Sequence, residues 1–252
     1  MPTTAARRDA DPAPSQGPAA QRELLPALLV LLTVWSLLAT QGWLGPRIGR
    51  PAAVALSFIA ATALVIATRE RESEHAPARA LALGALAGFV SYPAWILLIA
   101  SIGSALGLEP VPPPPRPGDT LLLVSVLGFG PVFEELLYRE RLLLALRERV
   151  GAGIAVAISS LCFALPHLEP WAMLATGSVG LGLGALMLAR RSVALCIGLH
   201  AGLNLAAVVC GIPPARFALP GALALVAGAA ILAGDLLATR QRRFGNVATN
   251  GH

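Results

Sequence analysis

The chain contains no lysine, few charged residues and only three cysteines. Of its 252 residues, 13% are charged and 56% are hydrophobic, with a mean hydropathy of +0.69. Soluble domains carry about 25% charged residues, and disordered chains need low hydrophobicity with high charge, so both classes are excluded. The chain has no G-X-Y repeat, which excludes collagen, and too few cysteines for a disulfide scaffold. A polytopic α-helical membrane protein remains.

The absence of lysine means that all 19 cationic residues are arginine. The arginines lie between apolar runs, which indicates membrane topology rather than nucleic-acid binding. The three cysteines, Cys162, Cys196 and Cys210, each lie within an apolar run. We expect all three to be small buried apolar side chains.

Eight apolar runs are long enough to cross a hydrocarbon core of ~30 Å. They cover residues 24–44, 51–68, 80–108, 119–146, 151–169, 170–189, 192–212 and 217–239. The sequence therefore predicts an all-α polytopic membrane protein, with about eight transmembrane helices in one bundle. We expect disordered cytoplasmic tails at residues 1–23 and 240–252, one membrane domain over 24–239, and a proline-rich linker at 109–118.

The distribution of arginine predicts the orientation in the membrane. With the N-terminus in the cytoplasm, 13 arginines fall inside and four outside, namely Arg47, Arg50, Arg116 and Arg216. The remaining two, Arg139 and Arg141, fall within or near the fourth span and are not counted. This bias predicts that both termini are cytoplasmic, as expected for an even number of spans in a bacterial inner-membrane protein.

Ionisable side chains within the fourth span are the first candidates for function, because each costs ~3 kcal/mol to insert. Glu134 and Glu135 are adjacent, and Arg139 follows Glu135 by four positions. Glu135 and Arg139 therefore share a helix face and are expected to form a structural ion pair. Glu134 then faces elsewhere, and an unpaired carboxylate in an apolar setting suits a general base or acid.

Two further spans carry isolated polar groups. In the fifth span His167 follows Phe163 by four positions and Pro166 directly, so local irregularity is expected there. In the seventh span His200 and Asn204 are four apart and project from one helix face. Each group alone is compatible with ordinary helix packing. Together they predict one water-filled cavity, with the parts needed to activate water and stabilise an oxyanion.

The three motifs EExxxR, FxxxH and HxxxN, in this order, resemble the CAAX protease and bacteriocin-processing family. This family comprises intramembrane proteases related to the Ras-converting endopeptidase. The resemblance covers residues 131–204 and identifies 24–239 as an intramembrane protease domain. It implies that Glu134 and His167 position and activate water, and that His200 and Asn204 form the oxyanion hole.

The resemblance also implies supporting roles, with Glu135 and Arg139 bracing the site and Phe163 packing beside it. The family is described both as metalloproteases and as glutamic-type proteases. We expect the glutamic type with no cofactor, because an Asn four residues after His200 suits oxyanion donation. Zinc held by Glu and His side chains is the alternative.

One departure from the family pattern bears on the substrate. The family often has Gly after the motif Arg, whereas this chain has Glu140. The variant resembles the myxosortases, which trim C-terminal membrane anchors from exported bacterial proteins. His167 lies ~24 Å along its span from the inner edge, which suits cleavage near the outer face. The expected partners are a membrane-anchored protein or peptide substrate and the lipid bilayer, with no nucleic acid.

Three other interpretations of the sequence stay open. The chain could be a CAAX-type or bacteriocin-processing protease with a bound metal. It could be a transporter or proton relay, since buried Glu and His are typical of both. It could also be a non-catalytic relative. For Trp171, at the start of the sixth span, two places are expected, in the interfacial aromatic belt or lining the site, and the belt is favoured.

Overall fold

The computed structural model describes residues 18–69, 77–108 and 119–211. Within these ranges the chain is helical and has no strand, which confirms the all-α prediction. The predicted eighth span over 217–239, the linker over 109–118 and the C-terminal tail lie outside the described residues.

Seven helices follow one another in the described part of the chain. They are α1 (Pro18–Ile48), α2 (Arg50–Ala67), α3 (Pro77–Ala105), α4 (Thr120–Val150), α5 (Ala152–Ala164, extended by a 3₁₀ turn over Leu165–His167), α6 (Pro170–Arg190) and α7 (Val193–Cys210). Their bounds match seven of the predicted spans, and α1 begins six residues before the predicted start of its span.

Six of these helices are long and apolar enough to cross a membrane, and α5 is the exception. With its 3₁₀ turn, α5 runs over Ala152–His167, shorter than the predicted 151–169. The chain leaves the regular helix where Pro166 cannot donate a backbone hydrogen bond. Long apolar helices of this kind make the chain an integral membrane protein.

Close contact between α3 and α7 depends on four glycines. Gly84 and Gly88 of α3 lie against the backbone of α7, and Gly198 and Gly202 of α7 lie against the backbone of α3. A Cβ on Gly88 would overlap the carbonyl oxygen of Leu199. Small residues four apart let membrane helices approach this closely. They fix the helix that carries His200 and Asn204.

The cysteine prediction is correct for Cys196 and wrong for Cys210. Cys196 is buried, Cys162 is half-buried, and Cys210 is exposed at the last residue of α7. Apolar neighbours indicate burial in a soluble protein, but in a membrane protein they also occur on surfaces that face lipid.

Candidate active site

Helix α4 places the two adjacent carboxylates at a change of helix type. Its backbone is α-helical over Gly130–Glu134 and π-helical over Glu135–Leu143. A second π-helical stretch precedes these segments, over Ser125–Phe129. Such stretches are rare and occur frequently at functional sites.

Glu135 and Arg139 form the predicted ion pair in the protein interior. Arg139 Nε lies 3.2 Å from Glu135 Oε2, and both side chains are 0% exposed. The Arg139 guanidinium also lies 4.4 Å from the centre of the Phe163 ring, a cation–π contact. Within the described residues, no Arg139 nitrogen has a hydrogen-bond partner. The carboxylate and the ring are therefore the contacts that balance this buried charge.

His200 of α7 lies between the two carboxylates of α4. Its Nδ1 lies 2.9 Å from Glu135 Oε1, and its Nε2 lies 3.6 Å from Glu134 Oε2. Glu134 lines the cavity while Glu135 is fully buried, so the two carboxylates face different surroundings, as expected, and His200 contacts both. An imidazole carries nitrogens on two sides of its ring, so one side chain can approach both carboxylates.

Phe163 of α5 contacts both imidazoles as well as α4. Its ring packs edge-to-face with His167 at 5.8 Å and with His200 at 5.6 Å between ring centres. It packs in the same way against Tyr138 at 5.4 Å. The side chain is 1% exposed. Phe163 thus occupies the centre of the cluster, as packing beside the site requires.

His167 ends α5 in an irregular turn. The Glu169 N–H donates to the carbonyl of His167 at 2.6 Å across a single residue, Leu168, whose φ is +59°. This hydrogen bond and this dihedral angle define a classic γ-turn, a strained conformation for a residue with a side chain. Pro170 then begins α6. The turn presents the His167 imidazole to the cavity described below.

Asn204 lies one helical turn after His200 on α7, and its side-chain amide makes one hydrogen bond to the protein. Its Nδ2 donates to the carbonyl of Val126 at 2.9 Å. Val126 belongs to the first π-helical stretch of α4. The amide nitrogen carries two N–H groups, so one remains for another acceptor.

One cavity of about 360 Å³ brings the predicted residues together. Glu134, His167, His200 and Asn204 all line it, and they come from α4, α5 and α7. Glu135 and Arg139 lie behind its wall, fully buried. Apolar and aromatic side chains of α2, α3 and α6 complete the lining. The arrangement combines a carboxylate, two imidazoles and an amide donor in a partly apolar space, as acid–base chemistry with oxyanion stabilisation requires.

Two groups of contacts at the site were not predicted. Trp35 of α1 donates its indole N–H to the Tyr138 hydroxyl at 2.9 Å, and the Ser159 hydroxyl donates to the Tyr138 carbonyl at 2.7 Å. Trp171 is 5% exposed and lines the cavity, so of its two expected places the favoured one in the aromatic belt is wrong and the site-lining one is correct. Glu140, the departure from the family pattern, pairs with Arg69 at 2.9 Å. No spacing in the sequence indicates these contacts between helices.

Metal binding was tested on the donor groups present. Among the residues that the structure describes, no three His, Cys, Asp or Glu side chains are grouped closely enough to hold a metal ion. His200 already has a carboxylate near each of its nitrogens. In this geometry the side chains do not fit a three-ligand zinc site.

Comparison with known proteins gives a family match over part of the chain. Residues 116–206 match the family model described as type II CAAX prenyl endopeptidase Rce1-like. Neither the curated proteins nor the solved structures that were compared gave a match. The matched segment contains all the cavity-lining polar residues discussed above, together with Glu135, Arg139 and Phe163. Residues 116–206 of this integral membrane protein are therefore similar to the Rce1-like domain of CAAX-type intramembrane proteases.

Proposed function

We propose that the protein is an intramembrane endopeptidase in which water, activated by Glu134 and His167, attacks a peptide bond. One observation carries the proposal: Glu134, His167, His200 and Asn204, from three helices, line the same cavity of about 360 Å³. The family match supports hydrolysis of a peptide bond and leaves the mechanism open.

The proposed reaction needs only one water molecule and the polar side chains that line the cavity. Water attacks the carbonyl carbon while Glu134 takes a proton from it, with His167 holding the water by its second hydrogen. The tetrahedral oxyanion accepts hydrogen bonds from the free N–H of Asn204 and from a protonated Nε2 of His200. The C–N bond then breaks, and the protonated Glu134 gives its proton to the leaving amine.

Glu135 and Arg139 act on this chemistry through His200. A carboxylate held by the Arg139 charge accepts the Nδ1–H of His200, which fixes the ring orientation. The imidazole then presents Nε2 towards Glu134 and the cavity. Phe163 restricts the tilt of both imidazoles by packing against their edges. We assign all three as positioning residues.

For the substrate we propose membrane-anchored exported proteins, which are cleaved near the outer face of the membrane that holds the protease. Two features support this: the arginine bias, which predicts cytoplasmic termini, and the 16-residue length of Ala152–His167. At ~1.5 Å per residue, His167 lies ~24 Å from the end of α5 next to Arg147 and Arg149. Reporter fusions within residues 109–118 test the orientation, and a cytoplasmic location would contradict cleavage at the outer face.

The central experiment compares Glu134→Gln and Glu134→Ala with wild type in cells that lack the endogenous gene. Full-length and trimmed forms of membrane-anchored exported proteins are quantified by mass spectrometry. We expect both variants to accumulate full-length substrate. The matched control is Glu148→Gln, an exposed carboxylate on the same helix, and it should trim as wild type does. Unchanged trimming in both Glu134 variants would refute the protease.

Chelation separates the glutamic from the zinc mechanism. Purified protein in lipid nanodiscs is treated with a strong chelator and assayed on a substrate found by the trimming comparison. Because the proposed chemistry uses only side chains and water, we expect activity to survive. Loss of activity that added zinc restores would establish the metal-dependent alternative.

A further inference from the structure

The cavity has a second, apolar part that the proposed chemistry does not use. Tyr92, Trp95 and Ile96 of α3 and Trp171 of α6 line it together with the polar cluster. A volume of about 360 Å³ lies within the range of pockets that bind small ligands. Four catalytic side chains and one water do not require so large an apolar wall.

The aromatic side chains of this wall already have partners for their polar ends. The Trp95 indole N–H donates to the Ser178 hydroxyl at 2.9 Å, and Ser178 donates in turn to the Ala175 carbonyl at 2.7 Å. The Tyr92 hydroxyl donates to the Gly211 carbonyl at 3.0 Å. The groups left to contact an occupant are ring faces and aliphatic carbons. Such a surface favours an apolar occupant over a polar one.

The position of Trp171 depends on a glycine of another helix. A Cβ on Gly103 of α3 would overlap the six-membered ring of the Trp171 indole. The indole therefore occupies the space that a side chain at position 103 would fill. Any side chain there must displace the ring, and Trp171 forms part of the cavity wall. The pair Gly103–Trp171 thus sets the size of the apolar part.

We infer that the apolar part of the cavity, bounded by Trp171 seated on Gly103, is a specificity subsite for one bulky apolar side chain next to the scissile bond. The inference rests on the proposed function. The subsite is continuous with the catalytic cluster, since Glu134 and Trp171 line the same cavity. A peptide bond at Glu134 therefore places a flanking side chain within reach of Trp171.

A binding experiment tests the subsite without turnover. A synthetic single-span peptide carries a benzophenone side chain at successive positions and is photo-crosslinked to the full-length Glu134→Gln variant in nanodiscs. We expect one position to label Trp171, Tyr92 or Ile96. Adding Gly103→Ala should abolish this label, whereas Gly182→Ala, which meets no atom within 4 Å, should keep it. The inference would be overturned if, for every position of the benzophenone in the peptide, only lipid-facing residues of the protein were labelled.

A selectivity experiment gives a second readout in the active protein. Reporters that differ only in Ala, Leu or Phe at the crosslinking position are cleaved by wild type, Trp171→Ala and Gly103→Ala. One methylene in an apolar pocket changes discrimination by about tenfold or more. In Gly103→Ala we expect the ratio of kcat/KM for the Phe reporter to that for the Ala reporter to fall by about tenfold or more. In Trp171→Ala we expect the protein to cleave reporters with a larger side chain than wild type accepts.

The two proposals fail in different ways. If wild type cleaves all reporters and the ratio is unchanged in both variants, the subsite is refuted while the protease stands. If the cavity residues are labelled but no reporter is cleaved, the apolar part binds the side chain as inferred while the proposed chemistry fails. Gly103→Ala keeps the test decisive if Trp171→Ala does not fold.

Discussion

His200 Nδ1 on α7 lies 2.9 Å from Glu135 Oε1 on α4, and the other oxygen of that carboxylate lies 3.2 Å from Arg139. Three buried groups thus form one chain of charge and hydrogen bonds that ends at the cavity. The arrangement couples the stability of the helix bundle to the orientation of a residue that we place at the reaction.

The buried ion pair predicts a large effect from removal of one partner. Arg139→Met leaves the Glu135 carboxylate buried without its cation, and such losses cost about 3–5 kcal/mol. The matched control is Arg69→Met, which breaks the partly exposed pair with Glu140 and should cost about 1 kcal/mol or less. Thermal unfolding in nanodiscs measures both, and equal losses would contradict the structural role assigned to Arg139.

The α3–α7 contact predicts a strong effect from one added methyl group. Gly88→Ala places a Cβ onto the Leu199 carbonyl, so the helices must separate at a cost of about 1–3 kcal/mol. Because His200 is the next residue after Leu199, we expect proteolysis to fall as well. Gly153→Ala, where nothing lies within 4 Å, is the control. If Gly88→Ala behaves like this control in both unfolding and activity, the close approach is not required.

The γ-turn after His167 predicts an unusual preference for glycine. Leu168 is 81% exposed and has a φ of +59°, a conformation that costs residues with a Cβ about 1–2 kcal/mol. Leu168→Ala keeps this cost, whereas Leu168→Gly removes it. We expect the glycine variant to unfold at a higher temperature than the alanine variant. The reverse order would mean that the turn is not strained.

Asn204 tests the oxyanion assignment through kcat. Asn204→Ala removes the free N–H, and the loss of one such donor lowers kcat by about 10²–10³. The matched control is Thr176→Ala, which also lines the cavity but whose hydroxyl donates to its own helix at Ala172. KM should change little in either variant. A kcat for Asn204→Ala close to that of the control would remove Asn204 from the oxyanion hole.

Some of this site is predictable from the sequence because it depends on spacing along one helix. Glu135 and Arg139 are four residues apart, and His200 and Asn204 likewise, so each pair shares a helix face. The order of the motifs and the apolar runs around them indicate the family and the all-α fold.

Other parts of the site depend on contacts between distant residues and leave no local signal. The burial of Trp171 requires Gly103 on another helix, and the Trp35–Tyr138 hydrogen bond joins α1 to α4. His200 contacts both carboxylates of α4 across 65 positions from Glu135, and α4 is π-helical over Glu135–Leu143. Helical periodicity describes a regular α-helix and cannot place side chains where the helix widens.

The most direct test of a single hydrolytic cavity is a double-mutant cycle between Glu134→Gln on α4 and His167→Ala on α5, measured as kcat/KM on one purified substrate in nanodiscs. Residues that act on the same water are strongly non-additive. We predict that the double variant is no slower than the slower single variant. Losses that multiply in the double variant, or no loss in either single variant, would contradict a shared reaction centre.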